Sequence, residues 1–431
     1  MVISASDTPA ARELAPGSFT RFRMWFAVAG AAAALAACAP ASIHQTADAS
    51  RPTYDTWDEV VEAARGTTVT WYIWGGSDII NSRVDIDIGR PLAETYGITL
   101  NRVPINDTAD AVNQVLNEAA AGVSSDGRID LIWINGENFR TLREADLLYG
   151  PWAEDLPNAK HVPWGDPAID FDFGTPVEGY ESPFGHAQFV FEYNTDLVTQ
   201  PPTTFEDLME WIHAKPGLFT YPAVRDFTGS VFLRHLFFWA AGGPEPFLGE
   251  FDQAVFDRHA PTVWQYLNDI APDLWRGGDT YPQAPVMTDL LANQEIAFNM
   301  SYLPGNASLQ ITEGVYPETI RTFVMETGTL SNNNYVAIPF NAANPAGAMV
   351  LANHLISPEL QLMLADPDLW GWEIPTDPST WAPGAQERLR SYQRGMATLP
   401  VEVLAEHALP EPGADWVTAM EQGWIENVLE K

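Results

Sequence analysis

Apolar and polar positions along residues 67–148 alternate between two periods, one typical of strands and one typical of helices. The segment 109–121 places Val112, Val115, Leu116 and Ala119 on one helical face, at the i, i+3, i+4 and i+7 positions. Three shorter segments are rich in β-branched, aromatic and other apolar residues, which predicts strands. The predicted strands are 67–74, 98–105 and 129–134, and the predicted helices are 79–96, 109–121 and 138–148.

This order predicts right-handed βαβ units and a parallel sheet that is covered by helices on both faces. Pro91 lies inside the predicted helix 79–96, where we expect it to break the helix, because proline has no backbone N–H. The segment 150–185 is rich in proline and glycine and predicts a long irregular passage. The first part of the chain therefore predicts one α/β lobe.

A second α/β pattern follows residue 186. Thr203 and Glu206 have the spacing of a capping box before an apolar helical face. Together the two patterns predict an α/β protein with two lobes. The remaining predicted strands are 187–193, 218–221, 295–302 and 335–338, and the remaining predicted helices are 231–241, 348–355 and the tail from about 385.

Residues 24–37 form an unbroken apolar run of 14 residues, the length of a signal-peptide core and too short to span a bilayer. The run ends in Leu35-Ala36-Ala37-Cys38, and Cys38 is the only cysteine. This pattern resembles the lipobox of bacterial lipoproteins, in which the thiol carries a lipid. We expect a signal peptide over 1–37, lipidation at Cys38 and a tether over 38–54; the alternative is a buried cysteine in an ordinary helix.

The 431 residues carry 57 Asp and Glu against 22 Lys and Arg, a formal net charge of −35. A chain this acidic repels nucleic acid and anionic lipid surfaces, which excludes them as partners. After the leader no apolar run approaches the 18 residues that indicate a membrane span. We therefore expect the body of the protein to be attached to the membrane through the lipid anchor alone.

The sequence lacks the short motifs of enzymes and metal proteins. The eight histidines show no metal-site spacing, and no G-x-S-x-G elbow, Walker A or G-x-G-x-x-G sequence occurs. A carboxylate pair for glycoside hydrolysis stays open, because acidic residues are numerous. The sequence therefore offers no positive signal for a catalytic, cofactor or metal site.

Two loops follow predicted strands and lie where ligands collect in an open parallel sheet, at the carboxyl ends of its strands. Their aromatic, carboxylate and amide side chains suit a cationic or ring-bearing ligand. The alternative is ordinary turn chemistry, with Asn138 as the N-cap of a helix. The candidate ligand-binding residues of these loops are Trp74, Gly75, Gly76, Ser77, Asn135, Glu137 and Asn138.

Three further segments offer candidate ligand contacts. Thr228 and Ser230 precede a predicted helix, where free N–H groups can hold an anion, although a plain Ser/Thr cap is the favoured interpretation. Tyr302 and Asn306 follow a predicted strand and offer an aromatic wall. Asn334 belongs to the polar run 332–334, for which a solvated turn is favoured over a binding loop.

Segments 67–76, 129–139 (IDLIWINGENF) and 295–306, with GPW at 150–152 and LPN at 156–158, resemble a known family. The chain is similar to the family 1 extracellular solute-binding proteins of bacterial ABC importers. It most resembles the YnjB-type subgroup, described as binding components of thiamine importers. The resemblance implies a type II periplasmic binding fold, in which each lobe is a sheet flanked by helices and the ligand cleft lies between the lobes.

The resemblance also implies lobe 1 over 55–184 and 336–383, and lobe 2 over 185–335 and 384–431. It implies a periplasmic, lipid-anchored monomer that closes by hinge bending near 184–194 and 333–340 and then meets the importer's membrane subunits. Thiamine or a related cationic heteroaromatic compound is the expected solute, stacked on aromatic rings with Glu137 as countercharge. A sugar, a polyamine and, less favoured, a lipid-anchored enzyme on the same scaffold remain as alternatives.

Overall fold

The computed structural model describes residues 52–431. The predicted signal peptide, Cys38 and most of the predicted tether lie outside the described residues. Along residues 52–431 no helix is both long and apolar enough to cross a bilayer. The helices are α1 Trp57–Ala64, α2 Asp78–Arg83, α3 Arg90–Tyr96, α4 Thr108–Ala120, α5 Gly136–Glu144, α6 Pro167–Asp170, α7 Phe205–Ala214, α8 Phe227–Ala241, α9 Gln253–Ile270, α10 Ala284–Ala292, α11 Asn306–Thr312, α12 Pro345–Leu355, α13 Pro358–Ala365, α14 Pro383–Ser391, α15 Val401–Glu406 and α16 Ala414–Trp424.

The strands are β1 Thr68–Trp74, β2 Thr99–Ile105, β3 Leu131–Ile134, β4 Phe171–Asp172, β5 Thr175–Pro176, β6 Glu181–Gln188, β7 Val190–Asn194, β8 Phe298–Ser301, β9 Ile320–Phe323, β10 Thr329–Ala337 and β11 Ala408–Leu409. A larger sheet has the strand order β11-β10-β3-β1-β2, with β6 also paired to β10. The strands β1, β2 and β3 are parallel, as the strand–helix alternation predicts, and β10 is antiparallel to both β3 and β6.

Helices pack on both faces of the larger sheet, and apolar residues of its central strands meet them on each side. On one face Val69, Trp71 and Ile73 of β1 join a core with α12 and α13. On the other face Ile132 and Ile134 of β3 join a core with α4 and α5. We call this sheet and the helices packed on it lobe 1.

A smaller sheet has the order β8-β7-β9, with both pairs antiparallel. Its core is aromatic: Phe191 of β7 lies edge-on to Phe232 of α8 and is stacked on Phe323 of β9. The helices α7, α8, α9 and α16 contribute to the same core. We call this sheet and its helices lobe 2.

The chain passes between the two sheets on adjacent strands. The strand β6 lies in the larger sheet and β7 in the smaller, with Phe189 alone between them. The backbone N–H of Phe189 donates to the carbonyl oxygen of Leu330 at 2.9 Å, so β6–β7 lies beside the return strand β10. This arrangement puts the loops at the carboxyl ends of β1 and β3 opposite lobe 2.

Several element bounds differ from the sequence-based predictions. Pro91 does not break its helix, because α2 passes through a π-helical segment, Val84–Gly89, into α3, and Pro91 lies in the first turn of α3. The capping box at Thr203 and Glu206 is wrong by one residue. Thr204 caps α7 by accepting from the Asp207 N–H at 3.1 Å, and the Thr203 hydroxyl donates to Glu326.

One strand prediction and one turn prediction were also wrong. Residues 218–221 form no strand, because Leu218 and Phe219 accept only isolated backbone bonds, from Ala297 and Trp275. The run 332–334 is not a solvated turn. It lies within β10 and pairs with β6, and Asn333 and Asn334 are buried.

Candidate ligand-binding site

A cavity of about 610 Å³ lies between the two lobes. It is lined from lobe 1 by the loops that follow β1, β2 and β3, and from lobe 2 by α8, α10, α16 and the segment that follows β8. Its size falls within the range of small-molecule sites. The predicted site residues that line it are Trp74, Gly76, Ser77, Asn135, Glu137, Asn138, Thr228, Ser230, Tyr302, Asn306 and Asn334.

Gly75 does not line the cavity. A Cβ atom at Gly75 would lie 2.4 Å from the Cβ of Pro104, so this glycine allows β1 and β2 to approach each other. At Gly76 a Cβ atom would lie 2.3 Å from the Trp74 ring, which folds over this residue. Ser77 caps α2 by accepting from the Ile80 N–H at 3.3 Å. Within this loop, Trp74 therefore presents the large apolar surface.

The loop after β3 turns sharply into α5. Gly136 has φ +63° and donates its N–H to the buried Asp172 at 2.5 Å. The helix starts at Gly136, so the prediction that Asn138 is its N-cap is wrong; Asn135 takes that position without a side-chain cap bond. The Asn138 amide instead donates to Glu137 at 3.3 Å. The turn thus brings Asn135, Glu137 and Asn138 to the cavity together.

The cavity wall from lobe 2 begins at α8. The N-cap of this helix is Asp226 rather than a residue of 228–230. One oxygen of Asp226 accepts from the Thr228 N–H at 2.9 Å, and the other accepts from the Ala284 N–H at 2.8 Å. The N-terminus of α8 therefore already holds a carboxylate. This arrangement disfavours the anion site considered for Thr228 and Ser230, which lie in the first turn of the helix.

The amides of Asn306 and Asn334 differ in how they are engaged. Asn306 donates to the buried Glu192 at 2.7 Å. The Asn334 side-chain oxygen accepts from the indole N–H of Trp133 at 3.2 Å, while its buried amide nitrogen has no hydrogen-bond partner within residues 52–431. The Asn334 side chain therefore lines the cavity with its amide group only partly paired.

A buried ion pair forms part of the cavity floor. The Arg234 guanidinium donates to Glu411 at 2.5 Å, and the two side chains are 1% and 4% exposed. Tyr302 and Asn332 also donate to Glu411. Burial raises the pKa of Glu411, while Arg234 and these hydrogen bonds lower it. The charge of Arg234 is therefore matched inside the protein.

Carboxyl groups dominate the rest of the cavity wall. Burial raises the pKa of Glu137, which its own backbone N–H and Arg234 lower and Asp107 and Glu411 raise. Burial also raises the pKa of Asp226, against hydrogen bonds from Ala284 and Thr228. The acidic residues that line the cavity are Asp78, Asp107, Glu137, Asp226, Asp289 and Glu421, and the basic residues are Arg225 and Arg234.

Sequence reasoning missed Trp133, Asp107, Asp226, Arg234 and Glu421, all of which line the cavity. A signal was present for Trp133, because it alternates with the buried Ile132 and Ile134 in the strand that leads to Asn135. Asp107 follows the predicted strand 98–105, so the rule for carboxyl ends applies to it as well, whereas long-range contacts bring Asp226, Arg234 and Glu421 to the cavity. Residues 52–431 also hold no cluster of His, Cys, Asp or Glu arranged to bind a metal ion.

The chain matches the family described as bacterial extracellular solute-binding proteins over residues 88–379, and it belongs to this family. It is 40% identical over 370 residues to Protein YnjB of Escherichia coli (strain K12). That match covers 86% of this chain and 93% of YnjB. The chain is therefore a solute-binding protein, as the sequence resemblance predicts, and not an enzyme by family.

Two solved structures share the fold. PotD, the spermidine/putrescine ABC transporter substrate-binding protein of Streptococcus pneumoniae, matches with a TM-score of 0.59 and 14% identity, over 84% of this chain and 99% of PotD. A periplasmic thiamin binding protein matches with a TM-score of 0.55 and 15% identity, over 84% and 96%. The fold is the predicted α/β, two-lobed type II periplasmic binding fold.

Proposed function

We propose that this protein captures a small organic cation, thiamine or a related cationic heteroaromatic compound, for import. The excess of negative charge around the cavity carries this proposal. Six carboxyl groups line the cavity against two guanidinium groups. Arg234 is matched by Glu411, so the exposed Arg225 is the remaining basic group. A cation gains attraction in such a cavity, whereas an anion meets repulsion.

Aromatic rings on both sides of the cavity support a ring-bearing solute. Trp74 and Trp133 approach from lobe 1, and Phe227 and Tyr302 from lobe 2. Phe227 is 38% exposed, so it offers a ring to a ligand. Stacking and cation–π contacts with such rings favour a flat cation over an aliphatic one. Asn135 and Asn334, which line the cavity, would orient the ring.

Hinge closure would bury the solute between lobes. For the two parts that move relative to each other we propose the boundaries 55–184 with 336–383 and 185–335 with 384–431, with the hinge at the strand crossings 184–194 and 333–340. The larger sheet extends past these boundaries, because β6 and β10 cross them and β11 lies in the second part. In this scheme the protein acts as a monomer, held at the membrane by a lipid on Cys38 and exported by the signal peptide 1–37. In this scheme the protein is the substrate-binding component of an ABC importer, and its partners are the importer's membrane subunits.

A polyamine is the second candidate, because the carboxyl groups come from both lobes. Asp107 and Glu137 belong to lobe 1, and Asp226 and Glu421 to lobe 2. A solute with several separated positive charges would contact both sets. A neutral sugar stacks on the aromatic rings and donates hydroxyl hydrogen bonds to the carboxyl groups, but it gains no charge attraction from them.

Isothermal titration calorimetry of the purified protein with thiamine, thiamine phosphates, spermidine and maltose tests the proposal. We expect thiamine to bind more tightly than its phosphate esters, by about tenfold or more, because each phosphate adds negative charge. The variants Glu137→Gln and Trp74→Ala should both weaken binding, whereas the matched control Glu94→Gln, on the exposed side of α3, should not. Unchanged affinity in both cavity variants, or preference for a phosphate ester, would contradict the proposal.

A further inference from the structure

Glu421 lies in the wall of the cavity, on the C-terminal helix α16. The Ser230 hydroxyl, from the first turn of α8, donates to its carboxyl group at 2.5 Å. The opposite side of α16 packs on α9 through an apolar contact, where Gly423 meets Trp264 and Phe256. The carboxyl group of Glu421 is thus held by one hydroxyl and directed toward the space between the lobes.

The charged groups around Glu421 are mostly negative. Glu137 on α5 and Asp107 at the start of α4 act on it from lobe 1, and both repel a negative charge there. Arg234 on α8 attracts it, but this guanidinium donates to Glu411. Carboxyl groups of the two lobes therefore face one another across the cavity, and the exposed Arg225 is the other basic residue that lines it.

A carboxyl group in these surroundings holds its proton near neutral pH. Burial raises the pKa of Glu421 to about 7, the Ser230 hydrogen bond and Arg234 lower it, and Glu137 and Asp107 raise it. In the empty cavity Glu421 is therefore about half protonated at pH 7. A positive charge beside the group favours its ionised form.

We propose that Glu421 selects the positive charge of the solute, and that an organic cation entering the cavity displaces the proton of its carboxyl group into solvent. This inference rests on the proposed function, because it needs a cationic solute. It goes further in naming the residue and the coupling. The proton that leaves Glu421 offsets part of the positive charge of the bound cation. Because binding releases this proton, the affinity for the cation increases as the pH rises through neutrality.

The coupling gives measurable expectations. About half a proton should leave per cation bound at pH 7, and affinity should be about tenfold lower at pH 6 than at pH 8. Calorimetry with thiamine and with spermidine, each in phosphate and in Tris buffer, measures the proton release, because these buffers differ in ionisation enthalpy. Carbon-13 NMR of the glutamate side-chain carboxyl groups in the free protein, assigned with Glu421→Gln, measures its titration without any ligand.

Three variants separate coupling from simple structural damage. Glu421→Gln should abolish proton release and flatten the pH dependence of affinity. Ser230→Ala removes the hydrogen bond that lowers the pKa, so it should move the midpoint of the pH profile upward. Glu426→Gln changes an exposed glutamate five positions further along the chain and should behave as the wild type.

Each outcome decides the question. Binding of thiamine or spermidine with proton release that Glu421→Gln removes supports the inference. Binding without proton release, or a Glu421 carboxyl that titrates near 4.5 in the free protein, overturns it and leaves the proposed function standing. Binding of spermidine but not thiamine, with the coupling intact, overturns the proposed solute alone. Failure of both cations to bind at pH 8, where the carboxyl groups are ionised, overturns both.

Discussion

The buried pair Arg234–Glu411 gives the sharpest test of how this cavity is stabilised. Arg234→Met keeps most of the side-chain volume but leaves Glu411 without its cation. The two side chains are 1% and 4% exposed. Removing one partner from so buried a pair costs about 3–5 kcal/mol, because the other charge stays uncompensated. The carboxyl group of Glu411 can, however, take up a proton and so lose its charge.

Protonation of Glu411 therefore limits how much stability Arg234→Met can remove, and this upper limit depends on pH. Protonating a glutamate of ordinary pKa costs about 1.4 kcal/mol for each pH unit above that pKa. The upper limit on the destabilisation is therefore about 5 kcal/mol at pH 8 and about 1.5 kcal/mol at pH 5.5. We expect Arg234→Met to lower the free energy of unfolding by about 3–5 kcal/mol at pH 8, and by about 1–2 kcal/mol at pH 5.5.

Urea unfolding followed by tryptophan fluorescence measures these values, since Trp416 and Trp424 lie in the same core as the helix α8 that carries Arg234. The double variant Arg234→Met/Glu411→Gln is the control. Its neutral glutamine oxygen still accepts from Tyr302 and Asn332, so most of the loss at pH 8 should be recovered. An equal cost of Arg234→Met at both pH values, or no recovery in the double variant, would refute the reasoning.

Two further predictions concern buried positions near the site. Glu181 is fully buried, neither of its carboxyl oxygens has a hydrogen-bond partner within residues 52–431, and burial, with Asp172 nearby, raises its pKa well above the usual value. The folded state therefore favours the protonated form, and the wild type loses up to about 1.4 kcal/mol per pH unit above pH 4.5. The free energy of unfolding of Glu181→Gln relative to wild type should rise from pH 5 to pH 8 in urea unfolding, and a constant difference would contradict this. Gly305→Ala should lower the free energy of unfolding by about 1–3 kcal/mol, and with it the melting temperature. The reason is that the added Cβ would lie 2.1 Å from the carbonyl oxygen of Gly371. In calorimetry the control Gly384→Ala, in open space on α14, should leave the melting temperature unchanged or raise it, and equal losses in both would contradict the prediction.

The loops of lobe 1 could be predicted from the sequence because local rules determine them. Strands 67–74 and 129–134 are marked by apolar composition, and parallel pairing then brings their carboxyl ends to one edge of the sheet. Trp74 and Glu137 follow from this topology without knowledge of any long-range contact. The structure places both residues at the cavity.

The lobe 2 wall could not be predicted in the same way, because distant contacts decide it. The sequence around this helix start led to Thr228 and Ser230 as the expected cap residues. The structure uses Asp226, whose second oxygen accepts from Ala284, 58 positions away. Asparagine is rare in strands, so the run 332–334 resembled a turn. Pairing with β6 overrides that preference.

Glu421 shows most clearly why the site exceeds what local patterns reveal. It lies far along the chain from Glu137, yet α5 and α16 are joined directly by Arg140 and Asp415 at 2.6 Å. Phe173 packs on Ala414 and Val417 of the same helix. These contacts hold two mutually repelling carboxyl groups near one cavity. Part of the stability that these contacts provide offsets the repulsion between the two carboxyl groups. A bound cation would remove this repulsion. An arrangement that costs stability in the empty protein and is relieved by a cation has the physical character of a binding site.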